Sequence, residues 1–303
     1  MVDDILRILT VPRPEIPLKN RFIAGHPIIV QVPRGSMMER TDANYDVDWE
    51  FYDPFYADVD DADFYLGLAR RYGGPVLEAM CGTGRVLLPL ARAGIEVTGI
   101  DSSEAMLAAA RKKLSAEPPD VQERVKLVKA DVRNLDLGTR FNLVLVPFSS
   151  INHLLTPRDQ DSAMACLKRH LKEDGALAVA SFNPQPERLI SESLDKEVEL
   201  ENGDLLSRFS RLEVEAESGL LHVRYRWEQE RDGSICRELS SDFHLKLLRP
   251  NQLKALLEGA GLELFERYGG YRGEPLDPKG DVVVFLARPR MVWKENANLL
   301  AHD

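Results

Sequence analysis

The segment PVLEAMCGTGR, residues 75–85, constrains the fold of this chain more than any other stretch. It begins with a short apolar run, which predicts a buried strand, and it ends in two glycines separated by a threonine. Glycines after a strand let a ligand approach the backbone, and the helix that follows presents free N–H groups and the positive end of its dipole. The segment therefore predicts a nucleotide-binding turn, although Met80 stands where the familiar G-x-G pattern has its first glycine.

Strands and helices alternate along residues 75–180. The apolar runs EVTGI, VKLVKA, FNLVLVPF and ALAVASF predict four further strands, with amphipathic segments between them. Ser102 or Ser103 caps the helix EAMLAAARKKL, and Thr156 with Pro157 starts the helix RDQDSAMACLKRHL. Because continuous apolar strands need cover on both faces, the pattern predicts an α/β fold with a doubly wound, mostly parallel sheet.

Other patterns occupy the chain on either side of this unit. Aromatic residues between 45 and 72 predict two short helices around the acidic turn VDDAD. The character of the sequence changes after residue 184. From about residue 197 to residue 248 apolar and polar residues alternate, and N-G, S-G and D-G pairs predict an antiparallel meander of about four strands, followed by one helix and two strands. We expect four regions: an extended N-terminal arm (1–43), a core (44–184 and 249–290), an antiparallel cap insertion (185–248) and a C-terminal tail (291–303).

Three acids close the first three predicted strands: Glu78, Asp101 and Asp131. The carboxyl ends of parallel strands meet at one edge of the sheet, where ligands bind. A dinucleotide-binding fold carries G-x-G-x-x-G and one acid after its second strand. Here Leu87 replaces the third glycine, and Glu78 is an additional acid. The pattern therefore disfavours a nicotinamide-dependent oxidoreductase.

The motifs VLEAMCGTGR, GIDSSEAMLAAAR, KADVRNL and FNLVLVPFSSINHLL occur in the order found in class I (Rossmann-like) S-adenosylmethionine-dependent methyltransferases, which the chain resembles over residues 45–289. The segment YDVDWEFYD resembles a helix of small-molecule members. The insertion after the fifth strand resembles that of the sugar-amine N-methyltransferases and glycine N-methyltransferase. The resemblance implies a seven-stranded, mostly parallel sheet in the order 3-2-1-4-5-7-6, and S-adenosyl-L-methionine as the cofactor.

The resemblance also implies roles for the residues of these motifs. Asp101 would accept the ribose hydroxyls, Asp131 would lie near the adenine amino group, and Glu78 would act near the amino-acid end or orient the loop. The cofactor is cationic, so an acidic site favours it. Met80 is expected to point into the sheet–helix interface, away from the cofactor. The residues expected to bind the cofactor are Glu78, Gly82, Gly84, Asp101, Ser102, Met106 (packed on the adenine), Asp131, Val132 (through its N–H) and Pro147.

The segment SSINHLL lies where the family that the chain resembles presents the methyl group. His153 is a candidate general base or orienting group, Asn152 a candidate hydrogen-bond donor to the substrate, and Tyr52 a candidate neighbour of the sulfonium. The plainer alternatives are local hydrogen bonding for His153 and packing between helices for Tyr52. Further candidates for the walls of an acceptor pocket are Tyr225, Trp227, His244, Tyr268, Tyr271 and Arg272.

The composition of the chain limits the classes of partner that we expect. The formal net charge of the 303-residue chain is −10, which repels nucleic acid backbones. The three cysteines, Cys81, Cys166 and Cys236, are widely spaced and indicate reduced thiols in a cytoplasmic protein. The sequence has no C-x-x-C or H-E-x-x-H metal motif, no signal peptide and no membrane-spanning stretch, so we expect no metal, nucleic acid or membrane partner. The arm and the meander offer surfaces for a homodimer.

Two functional hypotheses follow. The first is a methyltransferase that acts on a nitrogen or oxygen of a small-molecule acceptor by in-line methyl transfer, which needs positioning and exclusion of water more than a dedicated base. The alternative, motivated by Met80, is a non-catalytic regulatory or scaffold protein that binds S-adenosylmethionine. The sequence does not distinguish amine, hydroxyl, carbon and thiol acceptors.

Overall fold

The computed structural model describes residues 45–182, 190–215, 218–277, 280 and 282–290. These residues form a seven-stranded sheet with helices on both faces and a separate four-stranded antiparallel sheet. The predicted arm (1–43) and tail (291–303) lie outside the described residues, and the division into four regions stays a prediction.

The seven-stranded sheet has the predicted methyltransferase topology. Its strands are β1 (Val76–Ala79), β2 (Val97–Asp101), β3 (Val125–Lys129), β4 (Phe141–Val146), β5 (Leu171–Phe182), β10 (Leu262–Tyr268) and β11 (Val282–Pro289). They are arranged in the order β3-β2-β1-β4-β5-β11-β10, which is the predicted 3-2-1-4-5-7-6 once the four cap strands are set aside. Strands β1 to β5 pair in parallel, while β11 pairs antiparallel with both β5 and β10.

Helices cover both faces of this sheet, because its central strands are apolar on both sides. The described helices are α1 (Tyr45–Phe55), α2 (Ala62–Tyr72), α3 (Leu87–Arg92), α4 (Glu104–Ser115), α5 (Pro119–Gln122), α6 (Pro157–Arg169) and α7 (Pro250–Gly259), with a 3₁₀ helix at Ser150–His153. In β5, Leu177 and Val179 pack with α6 and α7, while Ala176 and Ala178 pack with α2, α3 and α4. The predicted caps are present: the side chains of Ser103 and Thr156 each accept the N–H of the third residue of the helix that follows, Met106 in α4 and Asp159 in α6.

The predicted meander consists of β6 (Ile190–Glu199), β7 (Leu205–Glu215), β8 (Leu220–Arg231) and β9 (Ser234–Lys246), each antiparallel to the next. Asp232 and Gly233 both have positive φ, +51° and +75°, which is the two-residue type I′ turn that D-G predicts between β8 and β9. The meander starts at Ile190, earlier than the alternation of residues indicates.

Helix α1 connects the meander to the rest of the molecule. Asp48 is buried and accepts the indole N–H of Trp227 at 3.0 Å and the hydroxyl of Ser241 at 2.8 Å. Phe51 and Phe55 pack on Trp227, with ring centroids 5.4 and 5.0 Å apart. These contacts hold the meander over the carboxyl edge of the parallel sheet, where ligands bind in this fold. Within the described ranges, no helix is long and apolar enough to cross a bilayer.

Candidate active site

A cleft opens at the carboxyl ends of β1, β2 and β3. Gly82, Asp101 and Asp131 line it, and it encloses about 110 Å³. Asp101 Oδ2 accepts the backbone N–H of Gly82 at 2.8 Å, and Oδ1 accepts that of Ser103 at 2.9 Å. Because one carboxylate can accept several hydrogen bonds, Asp101 fixes the glycine turn and forms part of the cleft wall at the same time.

The neighbouring wall follows β3. Asp131 accepts the Arg133 guanidinium, with Nη2 2.6 Å from Oδ2, and also the Arg133 backbone N–H at 2.8 Å. Arg133 holds the pKa of Asp131 below its usual range, so this carboxylate is ionised at neutral pH. Val132, Ser102 and Met106 complete the lining on this side, where the sequence analysis expects them. Arg133 also lines the cleft and was not predicted.

Met80 occupies the first position of the turn after β1. Its φ of +58° lies in the left-handed region that favours glycine, so the backbone follows a glycine-like path there. Met80 is among the residues that line the cleft, and the expectation that its side chain points away from the cofactor stays a prediction. Its side chain packs against the hydrophobic cluster shared by the sheet, α6 and α7, which is the sheet–helix interface expected from the sequence.

Glu78, at the end of β1, lies behind the cleft wall. Its side chain is 2% exposed, and Oε2 has no hydrogen-bond partner among the described residues. Burial raises the pKa of this carboxyl to about 8, with nearby Arg85 acting in the opposite direction. Glu78 is therefore mostly protonated at neutral pH in the protein alone, and its predicted role at the amino-acid end of the cofactor stays a prediction.

Gly84 and Pro147 were expected to contact the cofactor, but neither lines the cleft. Gly84 has a φ of +79°, and a Cβ there would meet Ala110 and Leu87 at 3.7 Å, so it turns the chain and packs against helices. Pro147 is buried, and its carbonyl accepts the N–H and the hydroxyl of Ser150 at 3.1 and 2.8 Å. Phe148, the next residue, forms the cleft wall instead.

Asn152 was expected to donate a hydrogen bond to the substrate, and the structure contradicts this expectation. The residue is fully buried, and its amide is occupied at both ends. Nδ2 donates to the carbonyl of Lys246 at 2.7 Å, and Oδ1 accepts the hydroxyl of Ser181 at 3.1 Å. Asn152 therefore connects the 3₁₀ helix to β9 and β5, and it supports the site without lining it.

A second and larger cavity, which we call the cap chamber, lies between the meander and the parallel sheet. Its volume is about 490 Å³. Apolar side chains of β7, β8 and β9 form its inner wall, and loops after α1 and β10 form its rim. Of the predicted wall residues, Tyr225, Tyr271 and Arg272 line it. Trp227 instead packs under α1, His244 stacks on His222 at 4.5 Å between ring centroids, and Tyr268 bonds to Glu266.

The cleft and the cap chamber meet at two residues. Phe148 and His153 line both cavities. Phe148 and Ser149 have positive φ, +50° and +63°, an uncommon conformation that marks this loop as a site under structural constraint. The His153 ring lies 6.0 Å from the ring of Phe243, and burial lowers its pKa to about 4, so His153 is neutral at physiological pH.

A buried polar group forms one corner of the cap chamber. Arg208, 1% exposed, donates from Nε to Asp195 Oδ2 at 2.8 Å and from Nη1 to the hydroxyl of Tyr56 at 2.7 Å. Ser210 donates to the other oxygen of Asp195 at 2.5 Å. The guanidinium also lies over the rings of Phe55 and Tyr225, 3.9 and 4.1 Å from their centroids. None of this was predicted, because the sequence does not show which strand face points inward.

Helix α1 also borders the cofactor cleft. The hydroxyl of Thr83, between the two glycines of the turn, donates to Asp53 Oδ1 at 2.6 Å, and Lys113 lies 2.6 Å from Oδ2. Tyr52, one residue earlier, lines the cleft. Its ring contacts that of Tyr56, with centroids 4.7 Å apart, and burial raises its pKa, so the phenol is neutral. Helix α1 is thereby fastened to the glycine turn.

The donor set of the cleft fits S-adenosylmethionine. Ionised Asp131 suits an amino donor and a cationic ligand, and the carboxyl oxygens of Asp101 can accept hydroxyl donors. Met106 and Val132 offer apolar surface, and Gly82 leaves the turn without a side chain. A pyrophosphate fits this cleft less well, because the turn lacks glycines of the dinucleotide-binding pattern and part of the cleft wall is apolar. The fold and the cleft thus define a class I S-adenosylmethionine-dependent methyltransferase.

Comparisons with known proteins support this assignment. A family model described as a methyltransferase domain matches residues 76–175. The dTDP-3-amino-3,4,6-trideoxy-alpha-D-glucopyranose N,N-dimethyltransferase of Streptomyces venezuelae is 27% identical over 242 residues, 74% of this chain and 97% of that protein. The dTDP-3-amino-3,6-dideoxy-alpha-D-glucopyranose N,N-dimethyltransferase of Streptomyces fradiae is 29% identical over 69% of this chain and 79% of that protein. The solved CcbJ methyltransferase of Streptomyces caelestis superposes with a TM-score of 0.65 at 29% identity, covering 76% of this chain and 90% of that chain.

Proposed function

We propose that this methyltransferase transfers the methyl group to the nitrogen of a small-molecule amine, of the amino-sugar kind or comparable to it. The observation that carries this proposal is the meeting of two cavities at Phe148 and His153. One cavity has the residue set that fits S-adenosylmethionine, and the other is large enough for an acceptor. The names of the two Streptomyces relatives, both N,N-dimethyltransferases of amino sugars, support a nitrogen acceptor.

The protein's own groups favour an amine over an alcohol. An alcohol must lose its proton during attack, which calls for a base with a pKa near the working pH. His153 lines the junction, but its pKa of about 4 makes it a weak base. An unprotonated amine carries a nucleophilic lone pair and needs only to be placed. We therefore assign to neutral His153 the orientation of the acceptor by a hydrogen bond.

The cofactor-side roles are assigned as follows. Bound S-adenosylmethionine supplies a methyl group already activated by its sulfonium. Asp101 would bind the ribose hydroxyls, Asp131 the adenine amino group and Met106 the ring face, while Tyr52 would border the sulfonium with its ring. Because α1 is bonded to the glycine turn through Asp53, it would close the cleft against water. We propose these roles from the position of each side chain in the cleft wall.

Matched acceptors test the proposal. The purified protein is incubated with methyl-labelled S-adenosylmethionine and either a 3-amino-3-deoxyhexoside or the hexoside with a hydroxyl at the same carbon. We expect methylation at nitrogen of the first and little transfer to the second, located by mass spectrometry of the product. Comparable transfer to the hydroxyl would contradict the nitrogen assignment. Asp101→Asn serves as the control with weakened cofactor binding.

Other expectations stay predictions. The described part of the chain contains three free cysteines, two of them buried, which accords with the cytoplasmic location expected from the sequence. The absence of nucleic acid and membrane partners, and the homodimer, are likewise expectations. Gel filtration with light scattering would determine the oligomeric state.

A further inference from the structure

We propose that the acceptor amine is carried by an apolar molecule that has no phosphate group. This inference rests on the proposed amine function and specifies the rest of the acceptor. It differs from the dTDP-linked sugars for which the two Streptomyces relatives are named. The inference is based on the lining of the cap chamber. This lining combines an extended apolar wall with guanidinium groups that are all paired with carboxylates in the described part of the chain.

The inner wall of the chamber is a continuous apolar surface. Alternate residues of three antiparallel strands point inward and form it: Leu212 of β7, Leu221 and Val223 of β8, and Phe243 and Leu245 of β9. Phe182, at the end of β5, extends this surface to the parallel sheet. A phosphate group placed against this wall would lose its hydration without gaining hydrogen bonds, which is costly. An alkyl or aryl group placed there would be removed from water, which is favourable.

The guanidinium groups that line the chamber each have a carboxylate partner among the described residues. Within the described residues, its lining includes two guanidinium groups, those of Arg208 and Arg272. Arg208 is buried against Asp195 at 2.8 Å, and four aromatic rings surround it. Arg272 is 77% exposed at the rim and lies 3.3 Å from Asp60. A diphosphate would have to compete with these carboxylates for its counter-charges.

The rim of the chamber is acidic. Asp58 and Asp60 lie on the loop after α1, and Glu274 lies on the loop after β10. Together with Asp195, the described lining holds four carboxylates and two guanidinium groups. Lys196 lies 2.6 Å from Asp58 and offsets a third carboxylate, which leaves an excess of one within the described residues. This excess of negative charge repels a nucleoside diphosphate and attracts a protonated amine during entry. The apolar wall and the acidic rim thus select for the same ligand, an amine on an apolar carrier.

Two probes that share one amino sugar test this inference. Octyl 3-amino-3-deoxyglucoside, used below its micelle concentration, and dTDP-3-amino-3-deoxyglucose are titrated separately into full-length protein saturated with S-adenosylhomocysteine. Calorimetry should show that the octyl glycoside binds at least about tenfold more tightly, because its chain covers the apolar wall. Octyl glucoside, which lacks the amine, should bind more weakly than the octyl amine. Equal or tighter binding of the dTDP sugar, or no binding of either amine, overturns the inference.

Variants in one strand assign the effect to the chamber. Leu245→Lys places a charge on the half-buried inner wall, while Ile235→Lys makes the same kind of change at a position that is 56% exposed. We expect L245K to lose about tenfold or more in affinity for the octyl amine, and I235K to bind it as the wild type does. Equal affinities for the two variants, with circular dichroism showing both folded, would place the octyl chain elsewhere and overturn the inference.

The binding measurement separates this inference from the proposed function. If the octyl amine binds in the expected order but receives no methyl group, nitrogen methylation fails while the assignment of the chamber stands. If the dTDP sugar binds more tightly and is methylated at nitrogen, the proposed function stands and the apolar carrier is wrong.

Discussion

The carboxylate of Asp101 accepts the backbone N–H of Gly82 at 2.8 Å, so the acid that closes β2 holds the glycine turn that follows β1. This contact joins the two motifs on which the assignment of the cofactor depends. Its charge serves both the turn and a ligand with hydroxyl groups and a positive charge. The hydrogen bond to Ser103, the N-cap of α4, fixes the same carboxylate from the other side.

Asp101→Asn should weaken the binding of S-adenosylhomocysteine by about 10- to 100-fold, because hydrogen bonds to charged groups contribute roughly 1.5–3 kcal/mol. The amide keeps one acceptor oxygen, so the fold should persist. Calorimetric titration measures the effect. Asp120→Asn, at a carboxylate that is 66% exposed on α5, is the matched control and should bind as the wild type does. An unchanged affinity in D101N would remove Asp101 from the ligand site.

Met80→Gly should be more stable than Met80→Ala, by about 1 kcal/mol. Both variants lose the packing of the thioether, but only glycine relieves the left-handed backbone at φ +58°. The usual order is the reverse, since glycine in regular structure costs roughly 0.5–1 kcal/mol relative to alanine. Urea unfolding of the two variants gives the difference. Met106→Gly and Met106→Ala, inside α4, are the matched pair and should show the usual order.

Much of the fold could be predicted because its signals are local. Glycines, caps and apolar runs define β1 to β5 and their helices, and the D-G pair at Asp232 defines the turn between β8 and β9. Two of the acids at strand ends, Asp101 and Asp131, line the cleft as predicted, because the last residues of parallel strands lie at one edge of the sheet. These predictions need only residues that are neighbours in the sequence and the topology of one sheet.

The rest of the site depends on contacts between distant residues. The pairing of Arg208 with Asp195 joins two strands of the meander, and the inward face of those strands cannot be read from alternation alone. Asn152 was misassigned because its partners, Ser181 and Lys246, come from β5 and β9.

Glu78→Gln should change how stability depends on pH. The unfolded carboxyl releases its proton near pH 4.5, while the buried one holds it up to a pKa of about 8. Between these values the folded state binds more protons, so the free energy of unfolding falls as pH rises, on the order of 1.4 kcal/mol per unit of pKa difference. Glutamine does not titrate, so E78Q does not show this fall. The free energy of unfolding of E78Q, relative to that of the wild type, should therefore increase as pH rises from 4.5 to 8.

Urea unfolding of wild type and E78Q at pH 5 and pH 8 measures the change in their difference. Glu173→Gln, at an exposed position near the start of β5, is the control and should follow the wild type at both pH values. A constant difference between E78Q and wild type across this range would show that Glu78 is ionised in the folded protein.

His153→Gln should lower kcat without changing the shape of the pH profile. Burial holds the pKa of His153 at about 4, so its ring is neutral throughout the range from pH 5 to 9. His153 should then contribute no limb to the profile. Initial rates at saturating cofactor measure it, with His244→Gln, at a residue that does not line either cavity, as the control. A limb near pH 6.5 that disappears in H153Q would instead make His153 a titrating base.

Asp195→Asn should destabilise the protein by about 3–5 kcal/mol, because it leaves the Arg208 guanidinium buried without a counter-charge. Arg208→Met should also destabilise the protein, because the buried carboxylate of Asp195 then loses its cationic partner and keeps the hydroxyl of Ser210. The double variant should cost less than the sum of the two, which a double-mutant cycle by urea unfolding measures. Glu263→Gln, in an ion pair that is half exposed, is the control and should change stability by no more than about 1 kcal/mol. Additive effects of D195N and R208M would mean that each side chain is stabilised by other groups, since the pair itself would then contribute no coupling energy.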